Sequence, residues 1–255
     1  MDLVLTERDE GVLVLTFNRP DRLNAWTDEL GRRYFDLLEE AEKDPEVRVV
    51  VVTGAGKGFC AGADFQALRG IQAGDYGEPD PRPTTFPTTI RKPIIAAVNG
   101  ACAGLGLVHA LACDLVFAAA EAKFTTAFSR RGLIAEYGLS WLLPRLIGQG
   151  RAMDLLLSGR TFTGSEAYEL GLVNRAVPGE SLMAETLAYA RDLSVNASPA
   201  SMAVIKRQVW GDAGLTLAEA EKAAVRLMLE SFGRPDFAEG VASFLERREP
   251  RFPPL

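Results

Sequence analysis

The run Val12-Leu13-Val14-Leu15-Thr16-Phe17 is built of β-favouring residues and closed by the turn-forming cluster Asn18-Arg19-Pro20-Asp21, so it predicts a strand ending in a loop. The period then changes. Leu30, Tyr34, Leu37, Leu38 and Ala41 recur at helical spacing behind Thr27, a residue suited to capping, with Asp28 and Glu29 in the first turn; an amphipathic helix to about Lys43 is expected. Val49 to Thr53, Ile94 to Val98 and Leu115 to Ala118 are short and apolar throughout, as strands buried on both faces are. Helical or glycine-containing stretches separate them. Strand, helix, strand in this order predicts α/β architecture with right-handed crossovers.

After residue 145 no strand signal is visible. Thr163 with Glu166 forms a capping-box pattern whose short helix is closed by Gly171. Thr216 with Glu219, and Asp236 with Glu239, open two further helices bearing Ala220, Ala224 and Leu227, then Phe237, Val241 and Phe244. The chain therefore divides into a core, residues 1–197, and a helical C-terminal region, residues 198–255. Between Gly70 and Pro93 a stretch rich in Gly, Pro, Thr and charge breaks the α/β rhythm and reads as a mobile loop near the site. No fixed-period repeat is present.

With 255 residues, 47% of them hydrophobic, the chain can bury a substantial core. A net charge of -6, with Lys and Arg scattered, offers no basic stripe for nucleic acid. No apolar run reaches the roughly 20 residues of a membrane span, and Met1 to Asp9 lacks the order of a signal peptide, so a cytoplasmic address is expected. Three cysteines, Cys60, Cys102 and Cys113, without a CxxC pair, and one histidine, His109, argue against disulfide frameworks and metal sites. The cysteines read as small buried hydrophobes, and His109 as a packed, hydrogen-bonded core residue.

Two glycine turns carry the chemistry. Gly54-Ala55-Gly56-Lys57-Gly58-Phe59-Cys60-Ala61-Gly62-Ala63-Asp64-Phe65 follows the strand ending at Thr53, and Asn99-Gly100-Ala101-Cys102-Ala103-Gly104-Leu105-Gly106 follows the strand ending at Val98. Both lie where α/β sheets bind ligands, at carboxyl ends of strands, and the second opens an apolar segment whose first N–H groups are unpaired. Taken singly, either turn could serve only a tight connection. Asp64 is placed to brace its loop by accepting local N–H groups.

Phe59-Cys60-Ala61-Gly62-Ala63-Asp64 followed by Pro93-Ile94-Ile95-Ala96-Ala97-Val98-Asn99-Gly100 resembles the two-part signature of the crotonase, or enoyl-CoA hydratase/isomerase, superfamily. Ala112-Cys113-Asp114-Leu115, Leu143-Pro144-Arg145-Leu146-Ile147-Gly148, Ala167 to Val173 and Glu239 to Phe252 continue it in the family order. The resemblance implies an α/β fold with a ββα spiral core and a helical oligomerising C-terminal region, assembled as a homotrimer or dimer of trimers. It implies an acyl-coenzyme A substrate whose thioester carbonyl is bound by the N–H groups of Ala63 and Leu105, flanked by Gly62 and Gly104. Ala61 would lie beside the adenine, and Arg22 and Lys57 could meet coenzyme A phosphates; solvated surface cations are the competing reading. No cofactor beyond the coenzyme A of the substrate is implied, and no metal.

The resemblance also exposes a departure. The two glutamates of enoyl-CoA hydratases align with Val108 and Phe128, which cannot transfer protons. Glu136, in the apolar loop Gly132 to Pro144, instead resembles the single catalytic carboxylate of one branch of enoyl-CoA isomerases. Desolvation there would raise its pKa toward a range useful for proton transfer. Isomerisation by one carboxylate is the expected reaction. The alternatives are hydration with a second acid from Asp75, Glu78 or Asp80, a catalytically silent acyl-CoA binder, and, for Glu136, a solvated carboxylate or a partner of Arg130, Arg131 or Arg145.

Overall fold

A computed structural model describes residues 2–74 and 80–255; Asp75 and Glu78 lie outside them. The chain opens on an antiparallel pair, β1 (Val4–Asp9) and β2 (Val12–Phe17), turned by Glu10 and Gly11, both at positive φ as a tight hairpin requires. β1 was not expected from the sequence. It is an edge strand with four consecutive exposed residues, so it lacks the apolar alternation that marks a buried strand.

Thr27 caps α1 (Asp28–Lys43) by accepting the Leu30 N–H at 3.2 Å, and the apolar face of that helix is buried as its spacing requires. A three-fold rhythm follows. A buried strand is succeeded within a few residues by a short strand of a second sheet: β3 (Val49–Gly54) by β4 (Gly58–Cys60), then, beyond α2 (Phe65–Gln72), β5 (Ile94–Val98) by β6 (Ala101–Ala103), and, beyond α3 (Leu105–Leu111), β7 (Leu115–Ala119) by β8 (Lys123–Thr125). The first two rounds contain the glycine turns, so each turn is a corner between sheets with a strand inside it. α4 (Leu139–Ile147), α5 (Gln149–Ser158), β9 (Phe162–Thr163), α6 (Gly164–Leu170), β10 (Arg175–Val177) and α7 (Gly179–Asn196) complete the core. The large sheet runs β1-β2-β3-β5-β7-β10 and the small one β4-β6-β8-β9. All neighbours are parallel except β1 with β2 and β8 with β9. This is the ββα spiral that the resemblance implies.

β9 and β10 correct the expectation that strands end before residue 145. They have two and three residues, too few to show a period, and exist because β7 and β8 offer edges to pair with: Phe162 meets Phe124 with stacked rings at 5.6 Å. The helix caps also differ in part. Thr216 and Glu219 form the full reciprocal box at the start of α9 (Leu217–Phe232), which follows α8 (Pro199–Gly211). Thr163 accepts the Glu166 N–H, but the Glu166 carboxylate turns to Arg160 instead, 2.6 Å away. α10 (Pro235–Glu246) starts at Pro235, preset for a first helical position; Asp236 is buried and bound by the Ser198 hydroxyl, while Glu239 pairs with Arg248. Among the described residues no helix is long and apolar enough to cross a membrane.

One buried ion pair fastens α8 to the large sheet. Lys206 Nζ lies 2.7 Å from Asp114 and donates to the carbonyls of Pro87 and Lys92, while Asp114 also accepts from the Ile94 N–H and the Trp210 indole. Burial pushes the Asp114 carboxyl up and Lys206 opposes that push. Removing one partner of such a pair leaves an uncompensated charge in the core. Lys206→Met should therefore lower stability by about 3 kcal/mol in urea titration, and adding Asp114→Asn to it should restore part of the loss.

Candidate active site

The two glycine turns cross with their backbones in contact. At Gly54 any side chain would overlap the carbonyl of Gly58, at Gly100 that of Lys57, and at Gly106 that of Cys60. These three positions demand glycine for want of space. Gly62 and Gly104 need it for another reason, their φ of 99° and 49°, which other residues rarely adopt. Two asparagines hold the crossing. Asn99 accepts the Gly54 N–H at 3.3 Å and donates to the carbonyls of Gly54 (2.8 Å) and Gly56 (3.0 Å). Asn24, fully buried and left-handed, accepts the Arg19 N–H at 2.8 Å and donates to the carbonyls of Ala55 (3.0 Å) and Gly58 (2.7 Å). Neither was singled out from sequence; the one available signal was that Asn tolerates the left-handed region.

Past the crossing, Trp26 and Ala63 form an isolated parallel bridge. The Trp26 N–H donates to the Gly62 carbonyl at 2.7 Å and the Asp64 N–H to the Trp26 carbonyl at 2.9 Å. Because successive peptide groups of an extended chain alternate in direction, the N–H of Ala63 faces away from Trp26. A side chain built on Gly62 would sit 3.0 Å from the Ala103 oxygen and 4.0 Å from the Leu105 nitrogen. Leu105 is the first residue of α3, where an N–H has no partner within the helix. Among the described residues, neither the Ala63 nor the Leu105 amide donates to another protein group. The structure thus brings together two free backbone donors from separate turns, with Gly62 and Gly104 beside them.

Asp64 braces its loop as expected. It accepts the Gln66 N–H at 2.9 Å and the Arg19 guanidinium at 2.8 Å, and these hold its carboxyl below the usual range. Ala61 is half-buried, with its N–H on the Leu23 carbonyl. Arg22 and Lys57 are both exposed on the loops around this crossing, and neither enters a salt bridge among the described residues.

Val108 and Phe128 are buried, and the Phe128 ring edge lies 3.8 Å from the position of a side chain on Gly104, so this wall of the site is apolar. The Phe128 carbonyl accepts the Leu133 N–H and so holds the start of the segment leading to Glu136. That segment ends in a tight turn: the Leu139 N–H reaches the Glu136 carbonyl at 3.0 Å, across Tyr137 and Gly138, both at positive φ. Glu136 is half-buried, and burial raises its pKa. Burial raises the Tyr137 phenol, and the neighbouring carboxylates of Glu136 and Asp28 push it the same way. No ion pair holds Glu136 among the described residues: Arg130 donates to the Ser158 carbonyl, and Arg145 lies over the Trp141 ring at 3.8 Å. Asp80, an alternative acid, is locked to Arg82 at 2.8 Å and held below the usual range; Asp75 and Glu78 lie outside the described residues.

His109 is packed as expected but not hydrogen-bonded. Its imidazole stacks on Trp26 with centroids 3.6 Å apart, neither nitrogen has a partner among the described residues, and burial pushes its pKa down to about 3. Burial pushes the thiols of Cys60 and Cys113 up to about 12 and raises that of Cys102 well above the ordinary thiol value, so all three are inert packing groups. A separate apolar cavity of about 510 Å³, lined by Trp141, Leu146, Ile205, Val209 and Trp210, includes no residue of either glycine turn.

The family model described as enoyl-CoA hydratase/isomerase matches residues 7–254. The chain is 37% identical, over 99% of its length and 98% of the other, to a 1,2-epoxyphenylacetyl-CoA isomerase of Escherichia coli. A probable enoyl-CoA hydratase/isomerase of Mycobacterium abscessus superimposes with a TM-score of 0.91 at 34% identity, over 99% of both chains. An enoyl-CoA hydratase, EchA12_1, of Mycobacterium marinum is 53% identical, covering 84% of this chain and 99% of its own, with a TM-score of 0.73.

The crossing predicts its own sensitivity. Asn24→Ala removes three hydrogen bonds to backbone groups, one of them buried and two partly buried, and should cost about 3 kcal/mol in urea denaturation, whereas Lys57→Ala, exposed, should stay within about 0.5 kcal/mol of the parent.

Proposed function

Since this chain belongs to the enoyl-CoA hydratase/isomerase family, we propose that it is an enzyme that binds an unsaturated acyl-CoA thioester and shifts its double bond, with Glu136 as the single acid/base group. One observation carries the choice of Glu136: among the described residues it is a half-buried carboxylate outside any ion pair, its pKa raised by burial, whereas Val108 and Phe128 are buried and apolar. The thioester oxygen lies between the N–H groups of Ala63 and Leu105. Glu136 takes a proton from the carbon next to the carbonyl, and the charge spreads into a dienolate whose oxygen the two amides stabilise, each contributing about 3 to 4 kcal/mol. The protonated Glu136 then returns the proton at the far end of the dienolate. Ala61 lies against the adenine, and Arg22 and Lys57, exposed and outside any salt bridge among the described residues, meet the phosphates of coenzyme A.

Hydration is the second reading, favoured by the 53% identical relative described as a hydratase. It needs a second proton carrier, and Asp80 is disqualified by its ion pair with Arg82. A silent binder is disfavoured, because a raised, unpaired carboxyl is a costly feature to keep without chemistry. The relative that acts on an epoxyphenylacetyl thioester makes bulky acyl groups the first substrates to try.

The protein acts as a homotrimer or dimer of trimers. Phe244 (82% exposed), Leu245 and Leu229 on α9 and α10, with Ile205 and Val209 beside the apolar cavity, present large apolar surfaces that closed symmetry would cover. Sedimentation should give a trimer or hexamer at micromolar concentration; a monomer would refute this assembly.

A product screen with 2-enoyl and 3-enoyl thioesters should show isomerisation. Glu136→Gln should lower kcat by about 100- to 10,000-fold with little change in KM, while Asp80→Asn stays within about two-fold. The base form of Glu136 is the active one, so kcat/KM should rise with pH through a limb placed above the ordinary carboxylate range, and that limb should vanish in Glu136→Gln. A Gln variant of nearly full activity would overturn the assignment.

A further inference from the structure

The two free amides belong to elements far apart in sequence, and one ring contact joins those elements. Trp26 holds Ala63 through its own backbone, by the 2.7 Å and 2.9 Å hydrogen bonds that flank it. Its indole lies flat on His109, centroids 3.6 Å apart and planes 24° from parallel. His109 is four residues after Leu105, one turn along the same face of α3. The indole is boxed in from other sides. Gly31 of α1 comes so close that a side chain there would stand 3.0 Å from the indole, and Phe17 and Tyr34 meet it edge-on at 5.6 Å and 6.1 Å. Trp26 therefore cannot slide away from α3, and the thickness of the imidazole determines how near the Ala63 loop comes to it.

His109 is held by this stack and, among the described residues, by no hydrogen bond. A neutral imidazole buried without partners costs more than an apolar residue of similar size, so packing alone does not account for histidine here. A flat ring does one thing that Leu or Ile cannot: it fills a gap of a single aromatic thickness.

We propose that Trp26 and His109 are positioning residues whose stack sets the spacing between the Ala63 and Leu105 amides, an inference resting on the oxyanion role given to those amides above. Neither ring touches the substrate. Leucine at 109 is thicker than an imidazole and pushes the indole, and with it Ala63, away from α3.

The test uses a saturated acyl-CoA labelled with carbon-13 at the thioester carbonyl, which binds but cannot isomerise, read by difference infrared spectroscopy at saturation. In the parent enzyme the carbonyl stretch should move to lower frequency on binding. In His109→Leu at least half of that shift should be lost, with kcat down about ten-fold or more and KM within about three-fold, short of the roughly 100-fold that loss of a whole donor costs. Trp26→Leu should do the same, and the double variant should be no worse than the poorer single one, because both break one contact. Should leucine at either position prevent folding, His109→Ala removes the spacer and leaves a cavity in place of an overpacked ring, and a weakened shift is expected. A full shift in these variants, or additive losses in kcat, overturns the proposal and leaves the stack a packing feature. No shift in the parent enzyme overturns the oxyanion role itself, and this inference with it.

Discussion

The approach of backbone to backbone at the corner between the two sheets is the constraint on which the site depends. Each round of the spiral sends the chain from a long buried strand into a short strand of the second sheet, and at Gly54, Gly100 and Gly106 a neighbouring carbonyl occupies the space of a side chain. Only glycine permits that distance. Once the corners meet, Asn24 and Asn99 satisfy the carbonyls and amides that the crossing would otherwise leave unpaired in a buried region. The amides of Ala63 and Leu105 are among those that keep no protein partner among the described residues.

Chemistry is imposed on this frame by side chains of very different kinds. Around the two amides the walls are apolar, with Phe128, Val108 and the Trp26 cluster excluding water and sharpening any charge placed there. Most carboxylates nearby are spoken for: Asp64 by Arg19 and the Gln66 amide, Asp80 by Arg82. Glu136 differs in having burial without a partner. The same physics that lowers Asp64 in its hydrogen-bonded turn raises Glu136 in its half-buried one, and this separation of roles needs no difference in the carboxyl group itself.

The C-terminal helices are fastened to this core by a small number of polar contacts rather than by a large shared apolar interior. Lys206, Asp114 and Trp210 form one such anchor, and the Ser198 hydroxyl on Asp236 ties the start of α10 to the start of α8. Much of the apolar surface of α9 and α10 is exposed in the single chain.

Local pattern alone determined the elements that carry their own period or caps. The helix from Asp28 to Lys43, the all-apolar strands and the Thr216–Glu219 box are legible because each is stabilised by residues within a few positions of one another. The family resemblance, carried by contiguous motifs, pointed to the two glycine turns and to Glu136. What tertiary structure decided has no local signal. β1, β9 and β10 are strands only because an edge was waiting for them; Asp236 left its capping role because Ser198 came within reach; His109 lacks its expected hydrogen bonds among the described residues because the fold surrounds it with the rings of Trp26, Tyr34 and Phe35. Which glycines lack room and which need a left-handed φ was likewise undecidable from spacing, since the obstructing carbonyls arrive from turns as far as 46 residues away, as Cys60 does at Gly106. Contacts of that separation are fixed by how the sheets stack, and the chain states them only once folded.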